Sequence, residues 1–404
     1  MLKNPDFVTA RDLLLEVVQP VGTEELPLSE CFGRVLAESV TAAENVPPFD
    51  RSPYDGYAFR SEDTNAASKE FPVTLHIIEE VPAGAVPTKA CTKNTAVKIL
   101  TGAPIPEGAD AVINYERTEF TESSVKIFAP VKSGENIVRA GEDVHKGDIL
   151  IRKGQAIDPG AAGTLAAQGV DRPKVYRRPK VGVISTGNEV MEVGTPLAPG
   201  KIYNSNRYTL SAALQEIGCE SVYLGLAGDC PEAICELIKK GLADCDAIVT
   251  TGGVSVGDYD FTPDAMERAG VNILFRGVQL KPGMACAYGE KEGKLVCGLS
   301  GNPASSLTNF YMVAVPALKK LTGLSDYVPE EIQVTLNTDF KKKSPATRLL
   351  RGRLDISDGT VRLIIPKDQG NVVISSAIGC DAMAVVPAGT GPIAAGTTLK
   401  GFKL

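Results

Sequence analysis

The residues best equipped for chemistry lie in TTGGVSVGDYDFTPDA, residues 250–265, where an apolar strand pattern gives way to a helix signal. Gly252 and Gly253 let a backbone come close to a ligand, and the amides of such a turn, with the helix start behind it, favour a phosphate. Asp258 and Asp260 have the chemistry to hold a divalent cation against that phosphate. The plainer alternative is a strand-to-helix turn capped by Asp or Thr. A matching turn, STGNE at 185–189, favours the ligand site, so Thr186 and Gly187 join Gly252, Gly253 and Ser255 as candidate binders of a nucleotide-type substrate.

Glu189 and Asp229 follow the first and second strands of the same region, so with Asp260 three carboxylates can meet at one sheet edge. Such a cluster repels an anionic substrate unless a cation such as Mg2+ stands between them. Asp229 also fits as the N-cap of a helix starting at Pro231. Lys281, in LKPG, can neutralise phosphate or oxyanion charge. Asn302 and Pro303, in SGNPASS, read as the N-cap and first position of a long helix whose free amides favour an anion.

In the N-terminal third, PPFDRSPYDGYAFR at 47–60 contains Asp50 and Asp55, and KILTGAPIPEGADAVI at 98–113 places Thr101 after a strand. Taken singly these read as turns. GENIVRAGEDVHKGD at 134–148 adds Arg139, Asp143 and His145 in a charged loop that a structural turn does not need.

The elements that position these residues change character along the chain. A first helix runs from about Thr9, with Leu13, Leu14, Val17 and Val18 on one face, and ends at Pro20 and Gly22. Short strand runs follow to about Lys153. From about residue 175, strands alternate with helices, as in VGVIS, SVYLGLAG and DAIVTTGG, which implies a parallel sheet with ligands at its carboxyl edge. Strand periodicity alone returns after Val328. The expected fold is therefore multidomain α/β plus β: a central nucleotide-type α/β domain with a parallel sheet, N-terminal helical and β-rich domains, and a small C-terminal β domain. The segments are 1–26 with 144–174, 27–143, 175–326 and 327–404.

A chain of 404 residues with a formal charge of −7 has no broad basic footprint for nucleic acid or an anionic membrane. No apolar run reaches the ~18 residues of a membrane span, and the first residues do not read as a signal peptide. The expected location is the cytoplasm. Nine cysteines without a C-x-x-C pair argue against a disulfide framework or a cysteine zinc site, and two histidines leave little for histidine chemistry.

PPFDRSPYDGYAF, KILTGAPIPEGADAVI, GENIVRAGEDV, STGNE, TTGGVSVGDYDFTPDA, LKPG and SGNP, in this order, closely resemble the MoeA family, which includes the C-terminal domain of gephyrin. The resemblance runs over essentially the whole chain. It implies a homodimer of four-domain protomers whose active site forms between the α/β domain of one and the β-rich domain of the other. It also implies insertion of molybdenum from molybdate into adenylylated molybdopterin, with release of AMP and help from Mg2+. A molybdopterin adenylyltransferase is the implied substrate donor. By motif position, Asp55, Thr101, Asp143, Glu189, Asp229, Asp260 and Lys281 carry over as catalytic residues, and Arg351 as an arginine for molybdate.

Where many relatives carry K-x-x-x-KPGKP, this chain has Gly277, Met284 and Ala285; Ser300 replaces a proline, and Asn371 stands where a serine is expected. These changes remove charge and a hydroxyl near the implied oxyanion site, so a lysine restored at 277 is expected to tighten molybdate binding. A molybdopterin adenylyltransferase, a tungstate enzyme, a scaffold and a non-catalytic paralogue are the alternatives.

Overall fold

A computed structural model describes residues 1–255 and 261–404. Asp258 and Asp260 lie outside the described residues. Contacts divide the chain into two compact units, one of Met1–Glu38, Lys153–Ala162 and Arg172–Leu404, the other of Ser39–Arg152 and Gly163–Asp171.

The first unit is built on a seven-stranded sheet, ordered Leu2–Lys3, Asn272–Arg276, Cys286–Lys291, Lys294–Leu299, Ala247–Thr251, Lys180–Thr186, Glu220–Ala227. The last four strands are mutually parallel. Their apolar runs are covered on both faces: Val181 and Val249 enter one core cluster, Ile184 and Ile248 the other. Cys286–Lys291 runs antiparallel to both its neighbours, a feature the alternating pattern does not announce. Its hairpin to Lys294–Leu299 turns at Glu292 and Gly293, both at positive φ, as a tight two-residue connection requires.

The helix Phe7–Val17 starts two residues earlier than its Thr9 signal, because the Asp6 carboxylate accepts from the amides of Val8 and Thr9 at 3.0 Å. Its buried face is Phe7, Ala10 and Leu14, which share a cluster with Leu214, Leu280 and Phe310. That packing places the N-terminal residues in the same unit as the sheet. On helix Pro231–Asp244, Ile234 and Ile238 are buried and Leu237 and Leu242 pack beside them, as the spacing predicts. Beyond a nearly fully buried helical run, Pro303–Leu321, five strands between Glu331 and Lys403 close into a barrel around Val334, Leu350 and Leu363.

The second unit holds a six-stranded sheet, ordered Ala111–Asn114, Gly56–Phe59, Thr95–Ile99, Val73–Val81, Ser124–Ile127, Thr118–Phe120. Tyr57, Phe59, Leu75 and Ile127 lie in one of its cores. No described helix is long and apolar enough to cross a membrane.

Candidate active site

Strand register decides which turns meet. Ser185 pairs with Thr251, Thr186 with Ala227 and Thr251 with Leu299, so Gly187, Gly252, Gly228 and Ser300 all leave the sheet at one carboxyl edge. Thr186 donates from Oγ1 to the Thr251 carbonyl at 3.0 Å, drawing the first two turns together. Gly252 has φ +99°, and a Cβ there meets Thr186 Oγ1 at 2.4 Å and the Thr186 carbonyl oxygen at 2.9 Å. Thr262 closes this turn from the helix side, donating from Oγ1 to the Gly252 carbonyl at 2.8 Å and from its amide to the Gly253 carbonyl at 2.9 Å. Gly252→Ala is therefore expected to destabilise the protein by about 2–4 kcal/mol, the sum of left-handed strain and a backbone clash. Urea denaturation checks this; an unchanged midpoint counts against the tight approach.

Gly187, at φ +129°, lets the Glu189 carboxylate lie against the backbone, since a Cβ there meets Glu189 Oε2 at 2.6 Å. Asn188 and Asp229 exchange two hydrogen bonds: the Asn188 amide donates to Asp229 Oδ2 at 3.2 Å, and the Asp229 amide donates to Asn188 Oδ1 at 3.3 Å. Glu189 and Asp229 thus sit on neighbouring, mutually braced turns. The N-cap of the Pro231 helix is Cys230, with no capping side-chain bond, so Asp229 does not cap that helix and bonds to Asn188 instead.

One residue here carries no sequence signal. Glu192 accepts from the Tyr223 hydroxyl, from Asn204 Nδ2 at 3.0 Å and from Arg207 Nη1 at 2.6 Å. Arg207 in turn lies 3.7 Å from the Tyr223 ring centroid, and Ser185 donates to Asn204 Oδ1 at 3.1 Å. Burial works to raise the Glu192 pKa, but these donors outweigh it and hold the carboxyl below its ordinary value. The network fixes both ends of the segment that carries Asn188 and Glu189.

At the fourth strand end, Asn302 is the N-cap of Pro303–Asn309 but makes no capping side-chain bond. The amides behind it are engaged: Ser305 donates to the Asn371 carbonyl at 3.2 Å and Ser306 to the Asn302 carbonyl at 2.9 Å. The expected set of free amides at this helix start is therefore reduced, with Asn302 itself left exposed.

Lys281 is held through its backbone, donating to the Thr347 carbonyl and accepting from the Leu349 amide, both at 2.9 Å. Its ammonium has no ion pair among the described residues, and its backbone forms an isolated β-bridge with Arg348. Arg351 is 1% exposed. It donates from Nη2 to Ser376 Oγ at 2.8 Å and to the Gly370 carbonyl at 3.4 Å, and from Nη1 to Thr308 Oγ1 at 3.2 Å, all neutral acceptors. Arg348, which the sequence did not single out, is also buried, with its guanidinium 5.6 Å from the Phe340 ring centroid. Burial pulls the pKa of both arginines down, and the Nε of each lacks a partner. Two buried guanidiniums without a carboxylate partner among the described residues form a strongly anion-seeking region.

In the second unit, Asp55 and Thr101 come together. The Asp55 carboxylate accepts from the Thr101 amide at 2.7 Å and its hydroxyl at 2.8 Å, bonds that lower its pKa in that order. Asp50 accepts from Arg139 Nη1 at 2.6 Å and the Ala140 amide at 2.8 Å. The Asp143 amide donates to the Val46 carbonyl at 3.0 Å, leaving its carboxylate exposed. Thr101→Val removes one of the two Asp55 donors, so the carboxyl should titrate at higher pH. A depressed carboxyl pKa stabilises the fold above the unfolded value and loses that effect as pH falls through the folded one. The variant's deficit should therefore appear at neutral pH and vanish in acid; an unmoved Asp55 NMR titration counts against it.

Comparison with known proteins gives a consistent result. Residues 6–169 match the MoeA N-terminal region (domain I and II), residues 182–320 a probable molybdopterin binding domain, and residues 333–401 the MoeA C-terminal region (domain IV). A Bacillus subtilis protein named molybdopterin molybdenumtransferase is 39% identical over 385 residues, covering 94% of this chain and 89% of that protein. A Staphylococcus epidermidis protein of the same name is 38% identical over 369 residues, covering 91% and 88%. The crystal structure of a molybdopterin biosynthesis MoeA protein from Pyrococcus horikoshii superposes with a TM-score of 0.85 at 32% identity, covering 99% of this chain and 100% of that one.

Proposed function

The chain belongs to the MoeA family of transferases, and from that premise we propose that it transfers molybdenum from molybdate to adenylylated molybdopterin, releasing AMP. It acts in molybdenum cofactor biosynthesis. The observation that carries the finer reading is the concentration, within one unit, of a carboxylate-bearing sheet edge and an anion-seeking region with no carboxylate partner among the described residues. Glu189 and Asp229 stand at that edge, and Lys281, Arg348 and Arg351 supply the positive charge.

The chemistry asks for that division. A phosphoanhydride and a molybdate dianion repel one another, so cations must hold the anions and dissipate the charge that develops on the departing AMP. Glu189 and Asp229 suit Mg2+, which takes one or two protein carboxylates and fills its shell with phosphate oxygens and water. Among the described residues no third His, Cys, Asp or Glu joins them. Bound there, Mg2+ would supply charge neutralisation and polarisation of the phosphoanhydride. Lys281 and Arg351 would bind the oxyanion, and the Gly187 and Gly252 turns would admit the phosphates. Asp55, Thr101 and Asp143 belong to the same proposal as catalytic residues supplied by the second unit's fold. Dithiolene chemistry is the pterin's own, so no cysteine nucleophile is required; burial in fact pushes the Cys91 thiol up to about 11, away from reactivity.

The same reading makes the protein a cytoplasmic homodimer that receives its substrate from a molybdopterin adenylyltransferase. Light scattering tests the dimer; an active monomer overturns it. The decisive assay is AMP release from adenylylated molybdopterin with Mg2+ and either molybdate or tungstate. Release that depends on molybdate supports the proposal, and release indifferent to any oxyanion defeats it.

A further inference from the structure

A cavity of about 540 Å3 opens on the six-stranded sheet of the second unit. Strand register builds its floor. Lys98, on Thr95–Ile99, pairs with Tyr57 on one side and with Glu80 on the other, so a phenol, an ammonium and a carboxylate form one row across three strands. The Phe120 ring centroid lies 5.8 Å from that of Tyr57, and more than half of Phe120 stays exposed. Ile77 adds apolar surface, and Glu79 and Glu122 join Glu80 in the lining.

Tyr57 is fully buried, yet it lines this cavity and its hydroxyl has no hydrogen-bond partner among the described residues. A buried hydroxyl left unpaired is costly, so its place at the cavity asks for a polar group inside it. The Tyr115 hydroxyl is orphaned in the same way, with its ring 5.4 Å from that of Tyr57. Burial, helped by Tyr115 and Glu80, pushes the Tyr57 pKa up to about 12, so the hydroxyl is neutral and can donate or accept. The carboxylates set the sign of the charge. Lys98 Nζ is spent on Glu80 at 3.1 Å. Glu79 is held by neutral donors, the Thr88 hydroxyl at 2.7 Å and the Lys89 amide at 2.9 Å, while Glu122 makes no hydrogen bond or ion pair among the described residues. The Lys89 ammonium, bonded to the Ile78 carbonyl at 2.6 Å, is the smallest influence on Glu79. Two negative charges are left over beside apolar surface, in a unit that carries nearly all of the chain's net negative charge.

We propose that this cavity binds a small aliphatic dication, a diamine or a guanidino-amine, with its charged ends at Glu79 and Glu122, its stem on Ile77 and Phe120, and an N–H donated to the Tyr57 hydroxyl. The volume is that of a small-molecule site. An exposed aromatic ring beside carboxylates favours such a ligand twice, since the ring face attracts a cation and the stem buries apolar surface. The inference stands apart from the molybdenum-transfer reading, because no residue assigned to that reaction lines the cavity.

The test is calorimetric titration of the full chain with agmatine, a guanidino-amine, and with butylurea as an uncharged analogue, on wild type, Tyr57→Phe, Glu122→Gln and the double variant. Wild type should bind agmatine in preference to butylurea, and less tightly as salt rises. Agmatine affinity should fall about fivefold with Tyr57→Phe, which removes one hydrogen bond, and about fivefold with Glu122→Gln, which removes one exposed charge. Tyr57→Phe should melt no lower than wild type, because it deletes a hydroxyl that bonds to nothing among the described residues. A clearly lower melting temperature means that this hydroxyl is already satisfied and overturns the proposal. Absence of agmatine binding at millimolar concentration also overturns it, as does equal affinity for butylurea or an affinity unchanged in the double variant. A capped Gly-Arg-Gly peptide is titrated alongside. If it binds more tightly than agmatine, the small-ligand assignment falls in favour of an arginine side chain presented by another protein.

Discussion

Lys281→Ala should lower molybdate-dependent AMP release by about 100-fold or more while leaving the melting temperature nearly unchanged. The backbone of Lys281, not its side chain, holds the segment: its amide and carbonyl bond to Thr347 and Leu349 at 2.9 Å, and alanine keeps both. The ammonium meets no acidic group among the described residues, so its removal breaks no ion pair there. What it removes is a charge from a region where Arg348 and Arg351 are already buried without a carboxylate partner among the described residues. The deficit should appear mainly as a higher molybdate KM, and Lys281→Arg should restore part of it. An unaltered molybdate dependence would mean that the oxyanion binds elsewhere.

Arg351→Met should separate function from stability in the opposite sense. A buried guanidinium whose partners among the described residues are all neutral is costly to desolvate, and a methionine of similar reach should raise stability by about 1–3 kcal/mol. Few bonds are orphaned by the change. Thr308 Oγ1 already donates to the Ala304 carbonyl at 2.8 Å and Ser376 Oγ to the Val373 carbonyl at 2.6 Å. Gln369 binds the backbone of residue 351, accepting at 3.1 Å and donating at 2.8 Å, whichever side chain stands there. AMP release should nonetheless fall by at least about 100-fold, because the proposed function assigns this arginine to the oxyanion. A lower melting temperature with activity preserved would identify Arg351 as a structural staple between the barrel and the buried helix.

Local chemistry was legible from residue types alone. The positive-φ glycines at 187, 252 and 253 announce tight turns, and Asp55 and Thr101, each read as part of a turn, prove to be hydrogen-bond partners. Ile234 and Ile238 mark the buried face of their helix through a period set by backbone geometry. These signals need only neighbours in sequence, so the sequence by itself determined the alternation of strands and helices, the glycine turns and the family resemblance. Tertiary structure decided everything that depends on register. Asp229 looks like a helix cap until strand pairing puts it beside Asn188. Glu192, Tyr223 and Arg207 have no shared motif and meet only because a strand, a loop and a helix converge. Lys3 and Arg276 are adjacent only because an edge strand adds to the sheet, and Gly277 beside them sits at φ +69°, where any side chain is strained. The barrel's closure and the buried Arg348 and Arg351 are likewise non-local: burial is set by what packs from far along the chain, and a charge count cannot tell a solvated arginine from a desolvated one.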